Sequence, residues 1–240
     1  MNSISRRLLR WYDRHGRDLP WRKTHDPYKI LVSEVMLQQT QVPRMLLFYK
    51  KWLQQFPNWK ALAGASNAEV VRAWSGLGYN RRALMLRDVA RVVAESGVPR
   101  SEEDWKKIKG IGPYTAAAVS LFAQNQATLP LDTNVRRVLG RVLLGKPYPQ
   151  PKNYSLIRAN KRIVFGDAKR QADVVQALFD LAAMVCKKRP LCAVCPLRRE
   201  CKAAPKFLAG KVTIPTRSVK KAASVFIRAS AILIVSTAGA

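Results

Sequence analysis

The sequence predicts an all-α protein, and two observations predict it. Apolar residues recur at helical spacing through most of the chain, and no strand-like alternation appears before about residue 223. A tight turn also stands at Lys107-Ile108-Lys109-Gly110-Ile111-Gly112-Pro113-Tyr114-Thr115-Ala116, with helical sequence on both sides. At 240 residues the chain can bury a substantial core, as one large domain or as two lobes.

Taken in order, residues 1–24 give a basic helix. Its start, Ser5-Arg6-Arg7-Leu8-Leu9-Arg10-Trp11-Tyr12, is amphipathic and lacks the apolar stretch of a signal peptide. Gly16-Arg17-Asp18-Leu19-Pro20-Trp21-Arg22 follows as a proline-broken segment. Asp26-Pro27-Tyr28 opens the next helix, whose Ile30, Leu31, Val35, Met36 and Leu37 pack inward. Glu34 lies within that apolar stretch, so it either faces solvent or sits in a site that raises its pKa. Helical periodicity continues through 44–56, 59–65 and 67–75. The turn Trp74-Ser75-Gly76-Leu77-Gly78-Tyr79-Asn80-Arg81-Arg82 presents Tyr79 beside two arginines, as a base-stacking wedge or as an ordinary packing residue. Residues 83–96 form a further helix.

Ser101 then caps a helix, with Asp104 three residues on. After the two glycines, Pro113 suits a first helical position, and Ala116 to Ala123 continue as a buried helix. The glycines permit a turn whose N–H groups face outward at a helix N-terminus, a ready phosphate site. This is either a helix-hairpin-helix clamp on a nucleic-acid backbone or a plain αα-corner. Downstream, Val135, Val138, Leu139, Val142 and Leu143 mark an amphipathic helix starting near Asp132, which reads as its N-cap. Residues 146–153 are a linker, and helices follow at 154–164 and 168–186.

Forty-three Lys and Arg against 15 Asp and Glu leave a net charge of +28, which favours a polyanionic partner. No apolar run reaches the ~18 residues of a membrane span, and an intracellular, cytoplasmic location is the expectation. Cys186, Cys192, Cys195 and Cys201 fall within one short segment, a pattern of one metal centre rather than scattered disulfides. The spacing fits a [4Fe–4S] cluster or a tetrahedral zinc. Lys187, Lys188 and Arg189, in the first interval, then become phosphate ligands.

Together these residues resemble the helix-hairpin-helix DNA glycosylases with an iron–sulfur cluster and, within them, the MutY-type adenine glycosylases. The likeness runs from about residue 8 to 202. It rests on Leu19-Pro20-Trp21-Arg22, Ser33-Glu34-Val35-Met36-Leu37-Gln38-Gln39-Thr40-Gln41-Val42, Gly76-Leu77-Gly78-Tyr79, Gly110-Ile111-Gly112-Pro113-Tyr114-Thr115, Leu131-Asp132-Thr133-Asn134-Val135 and the four cysteines. The resemblance implies a hairpin lobe of residues 25–133 and a cluster lobe of 1–24 with 134–212, followed by a linker and tail at 213–240. Double-stranded DNA carrying a mismatched or damaged pair would lie between the lobes of a monomer, with its target nucleotide flipped out.

The chemistry implied is hydrolysis of the N-glycosidic bond to adenine, opposite 8-oxoguanine or guanine. Glu34 would protonate the purine, and Asp132, beside Asn134, would stabilise the cationic sugar or attack it transiently. Tyr114 stands where lyase relatives carry a lysine, which predicts a monofunctional enzyme. By resemblance Trp21, Arg22 and Gln176 line the adenine pocket, while Leu37, Gln39, Thr40 and Tyr79 lie against the opposing purine and the opened stack. Lys109, Gly110 and Gly112 would hold the backbone.

The sequence departs from the family at Asn80, at Thr133 and in a shortened first cysteine interval. It also stops where a C-terminal 8-oxoguanine-reading domain would begin. Residues 223–235 read as one short strand, so the chain is a fragment or discriminates 8-oxoguanine less well. Removal of thymine or uracil from mismatches, and a non-catalytic iron–sulfur DNA-binding protein, are the competing readings.

Overall fold

A computed structural model describes residues 3–166 and 169–213, and among them the regular structure is entirely helical. The strand expected at 223–235 lies outside the described residues.

The first helix, α1 (Ser3–His15), buries Ile4, Leu8 and Leu9 along one stripe and turns Arg6, Arg10 and Arg14 to solvent. A central pair follows. In α2 (Pro27–Leu37) every residue from Ile30 to Met36 is buried, and in α8 (Pro113–Gln124) the same holds from Thr115 to Phe122. Ala116, Ala117 and Ala118 put little bulk between the two axes, so α8 packs directly on α2.

Around that pair stand α3 (Val42–Gln55), α4 (Trp59–Gly64), α5 (Asn67–Trp74), α6 (Arg81–Ser96) and α7 (Glu102–Lys107). Trp52 and Trp74 meet edge to face at 5.3 Å in their interior, each almost wholly buried. The other group joins the chain's beginning to its later part. α1 packs on α12 (Gln171–Met184), and α12 packs on α9 (Thr133–Leu144). α10 (Tyr154–Ala159) rests on α9, α11 (Lys161–Phe165) on α1, and α13 (Ala204–Leu208) follows the cysteines.

The structure splits the single helix expected at 154–164. Asn160 donates its side-chain N–H to Leu156 O at 2.8 Å, competing with the helical ladder, and the chain restarts as α11.

In the hairpin, Ser101 Oγ accepts from Asp104 N at 3.1 Å and caps α7, as its sequence predicts. The two glycines serve different ends. Gly110 has φ +96, and a Cβ there would lie 2.4 Å from Met85 Cγ, so only glycine fits. Gly112 is extended at φ −82 and is the N-cap of α8, with Pro113 at the first helical position.

Candidate active site

Five stretches converge on one cavity of about 510 Å³: the 17–22 segment, the C-terminal end of α2 with residues 38–42, and parts of α8, α9 and α12. Glu34 enters from the last turn of α2 and is buried. Tyr114, in the first turn of α8, donates its hydroxyl to Glu34 Oε2 at 2.8 Å. Burial pushes the Glu34 carboxyl from 4.5 up to about 7. The Asp132 charge pushes the same way, while the Tyr114 hydrogen bond and Arg22 pull it down. The sequence left Glu34 open between solvent and site, and the fold turns it from solvent onto the cavity wall. A carboxyl poised there is an acid still partly protonated at neutral pH.

Asp132 is the N-cap of α9, and its Oδ1 accepts from Val135 N at 2.6 Å. Its other oxygen accepts from Asn134 Nδ2 at 2.8 Å, so capping and a place on the cavity wall coexist. Asn134 Oδ1 in turn accepts from Arg137 Nη1 at 2.9 Å. Arg137 reaches on to Cys186 O at 2.9 Å and Ala182 O at 3.1 Å. A continuous polar chain therefore runs from the carboxylate of Asp132 to the backbone of the first cysteine.

Trp21, Arg22 and Gln176 also line the cavity, as do Leu37, Gln39 and Thr40. Arg22 is not free to swing, because Asp180 holds both its terminal nitrogens at 2.8 and 2.9 Å. Asp180, fully buried, also takes Arg17 N at 2.9 Å and Arg17 Nε at 2.6 Å. Burial pushes its carboxyl up, but those hydrogen bonds and the Arg22 charge outweigh that and hold it below the usual value. Arg22 Nε and Thr40 Oγ1, both buried at the cavity, have no hydrogen-bond partner among the described residues.

The remaining expected residues lie elsewhere. Tyr79 does not line the cavity; it is 70% exposed at the tip of the 75–79 turn with φ +50. Lys109, Lys187, Lys188 and Arg189 are exposed.

Cys186, Cys192, Cys195 and Cys201 are free thiols bordering one small apolar cavity. Among the described residues no three Cys, His, Asp or Glu side chains are drawn together closely enough to hold one metal ion. The donor set nevertheless suits a metal centre. Burial pushes the Cys192, Cys195 and Cys201 thiols up, Cys195 to about 12, so their ionised forms call for a bound cation. Arg141, 1% exposed, points Nη1 at Cys186 Sγ at 3.4 Å and holds the carbonyls of Lys187 and Lys188 at 2.6 and 3.1 Å. Sequence reading missed Asp180, Arg137 and Arg141. Only Asp180 carried a signal, an acid set among Leu178, Phe179 and Leu181 in α12.

The chain is 40% identical to an adenine DNA glycosylase of Rattus norvegicus over 89% of this chain and 44% of that one. A Mycobacterium tuberculosis adenine DNA glycosylase is 41% identical over 79% of this chain and 64% of its own. The chain thus spans about half the length of the curated relatives it matches. Among solved structures, a thermostable thymine-DNA glycosylase superposes with a TM-score of 0.77 at 28% identity, covering 84% of this chain and 95% of that one. A trapped endonuclease III–DNA covalent intermediate shares the fold, with a TM-score of 0.70 at 16% identity over 87% and 99% of the two chains. No helix among the described residues is long and apolar enough to cross a membrane. Residues 32–161 match the model of the HhH-GPD superfamily base excision DNA repair proteins, and the chain belongs to that family.

Proposed function

We propose that this chain is the catalytic part of a monofunctional DNA glycosylase that hydrolyses the N-glycosidic bond of adenine mispaired with 8-oxoguanine or guanine. The observation that carries the reading is the buried Glu34 carboxyl, raised to about 7 and sharing one cavity with Asp132. Flipping the nucleotide into that cavity costs a few kcal/mol of stacking and pairing, least at a mismatch. Glu34 then donates its proton to N7 of adenine, which lets the base leave neutral. Asp132, steadied by Asn134, carries the negative charge that the cationic sugar needs, or bonds to it transiently. The Glu34 carboxylate left behind takes the proton of the attacking water. A positioned proton donor of this kind is worth about 10²–10⁴ in rate.

Tyr114 supports the monofunctional assignment, since a phenol forms no Schiff base with the sugar. Trp21, Arg22 and Gln176 would face adenine, and Leu37, Gln39, Thr40 and Tyr79 the opposing purine and the opened stack. The hairpin at Lys109, Gly110 and Gly112, with Lys187, Lys188 and Arg189, would grip phosphates. Lobes of residues 25–133 and of 1–24 with 134–212 would flank the duplex, the protein acting as a monomer on cytoplasmic, nucleoid DNA. The four cysteines would hold a [4Fe–4S] cluster, whose contribution is to pin the basic 187–189 loop.

A second reading, thymine or uracil removal, draws on the likeness to the thymine-DNA glycosylase structure. The higher identity of the adenine relatives outweighs it. Single-turnover assays on duplexes with A opposite 8-oxoguanine, A opposite G and T opposite G separate the two. Adenine release from the first two is expected; release from T·G alone overturns the assignment. Asp132→Asn should abolish release while leaving duplex affinity, and a wild type that binds but releases nothing would leave a binding module.

A further inference from the structure

Two L-residues, Gln39 on the cavity wall and Tyr79 on the exposed 75–79 turn, hold left-handed backbone, a conformation in which side chains crowd the main chain. Gln39 has φ +60 and Tyr79 has φ +50. They lie on separate stretches, one after α2 and one before α6. Such conformations persist only where the surroundings over-determine them. Arg82, on the first turn of α6, supplies that determination for both. Its Nη1 donates to Val35 O at 3.0 Å and to Gln38 O, carbonyls at the end of α2 just before Gln39. Its Nη2 donates to Leu77 O at 3.2 Å and Gly78 O at 2.9 Å, just before Tyr79. The guanidinium also lies 5.2 Å from the Trp74 ring centre and 5.8 Å from that of Tyr79. Trp74 Nε1 adds a bond to Gly78 O at 3.0 Å, and Arg44 donates to Gly76 O.

We propose that Arg82 is a positioning residue that joins the 38–40 rim and the Tyr79 turn into one rigid wedge, and so controls how well the protein unstacks its target base. The inference rests on the DNA-glycosylase reading above and adds a residue to it. Tyr79 alone, on a glycine-flanked turn with 70% of its surface exposed, would yield when pressed against a base pair. Tied through one planar fork to the end of a helix buried from Ile30 to Met36, it transmits load to the core. Lysine does not replace the fork, because one ammonium cannot span two sets of carbonyls set apart on either side of a plane. Arg82 touches neither Glu34 nor Asp132 by any hydrogen bond, so its effect falls on base opening rather than on bond cleavage.

The test uses the full chain and duplexes with 2-aminopurine at the target position opposite guanine, whose fluorescence rises on unstacking. Arg82→Lys should reduce the binding-induced rise about tenfold, as expected when a strained loop conformation loses its support. Excision of adenine from a bulged, already unstacked site should stay within about twofold of wild type, separating opening from chemistry. Gln39→Gly takes φ +60 without strain, so in that background Arg82→Lys should cost only about threefold relative to Gln39→Gly alone. A full fluorescence rise with Arg82→Lys, an equal loss on bulged and paired substrates, or strict additivity of the two substitutions would each overturn the proposal. A wild type that brightens 2-aminopurine yet releases no adenine would sink the glycosylase reading and leave the fluorescence test of Arg82 intact.

Discussion

Replacing Glu34 by glutamine isolates the cost of ionising a carboxyl at that place. The amide keeps the shape, and its carbonyl can still accept the Tyr114 hydroxyl, so packing barely changes. In the folded chain Glu34 holds its proton up to about pH 7, whereas the unfolded chain gives it up from 4.5. Its contribution to stability is therefore fully present below 4.5, is lost as pH rises, and levels off above about 7. Each factor of ten in proton affinity is worth about 1.4 kcal/mol, so the loss approaches 3 kcal/mol in round numbers, ~3 kcal/mol at pH 8.5. Urea unfolding of wild type and Glu34→Gln between pH 4.5 and 8.5 should show the two curves converging in acid. Toward alkali they should separate by about 3 kcal/mol in favour of the variant. Over the same range, single-turnover adenine release by wild type should fall about tenfold per pH unit above 7, because the reactive form is the protonated acid. A stability gap that stays flat with pH would refute the reasoning, since a solvated or salt-bridged glutamate gives no such divergence.

Four further outcomes follow from the same geometry. Arg137→Ala removes the link between Asn134 and Cys186 O, and should slow base release well beyond any change in duplex affinity, read by single-turnover rates against binding titrations. Asp180→Asn leaves the Arg22 guanidinium buried without its carboxylate and should cost about 3 kcal/mol in urea unfolding at neutral pH. The wild-type pair loses its contribution as pH falls below the usual carboxylate range, so the difference between the two should shrink in acid. Gly110→Ala forces a Cβ toward Met85 and a side chain onto left-handed backbone, for about 1–3 kcal/mol of lost stability and weaker binding to matched and mismatched duplexes alike. Alanine at both Lys187 and Arg189 should flatten the salt dependence of duplex binding by about two phosphate contacts, leaving the preference among base pairs unchanged.

The fold was legible wherever burial wrote a period into the chain. The runs Ile30–Met36 and Thr115–Phe122 are too apolar for anything but a central pair, and Ser101, Asp132 and Pro113 marked their helix starts by cap chemistry. Boundaries were less legible where a polar side chain competes with the ladder, as at Asn160. The end of α12 shows the same limit. Periodicity carries on through Cys186, yet Val185 N and Cys186 N both bond Leu181 O, and that turn delivers the first thiol to its cavity.

The candidate site divides differently. Acids were readable because they are scarce: with 15 among 240 residues, one inside an apolar helical stretch asks for a reason, and Glu34 has one. Arginines were not (Arg22 apart, which was named by resemblance alone), because in a chain carrying +28 each one looks like part of a surface meant for phosphate. Arg22, Arg82, Arg137 and Arg141 are instead turned inward, onto a carboxylate, loop carbonyls, the Asn134 amide and a cysteine sulfur. Their partners are mostly backbone carbonyls brought close by the fold, and no pattern in the residues themselves announces a carbonyl that lacks a helical donor. Helix ends create those acceptors: Val35 O and Gln38 O close α2, and Ala182 O and Cys186 O close α12. Where the end of α2 forms an edge of the cavity, the guanidinium that satisfies that end also fixes the edge. At these four positions a charge that counts toward the +28 holds a carboxylate, loop carbonyls, an amide or a thiol in place instead of facing solvent.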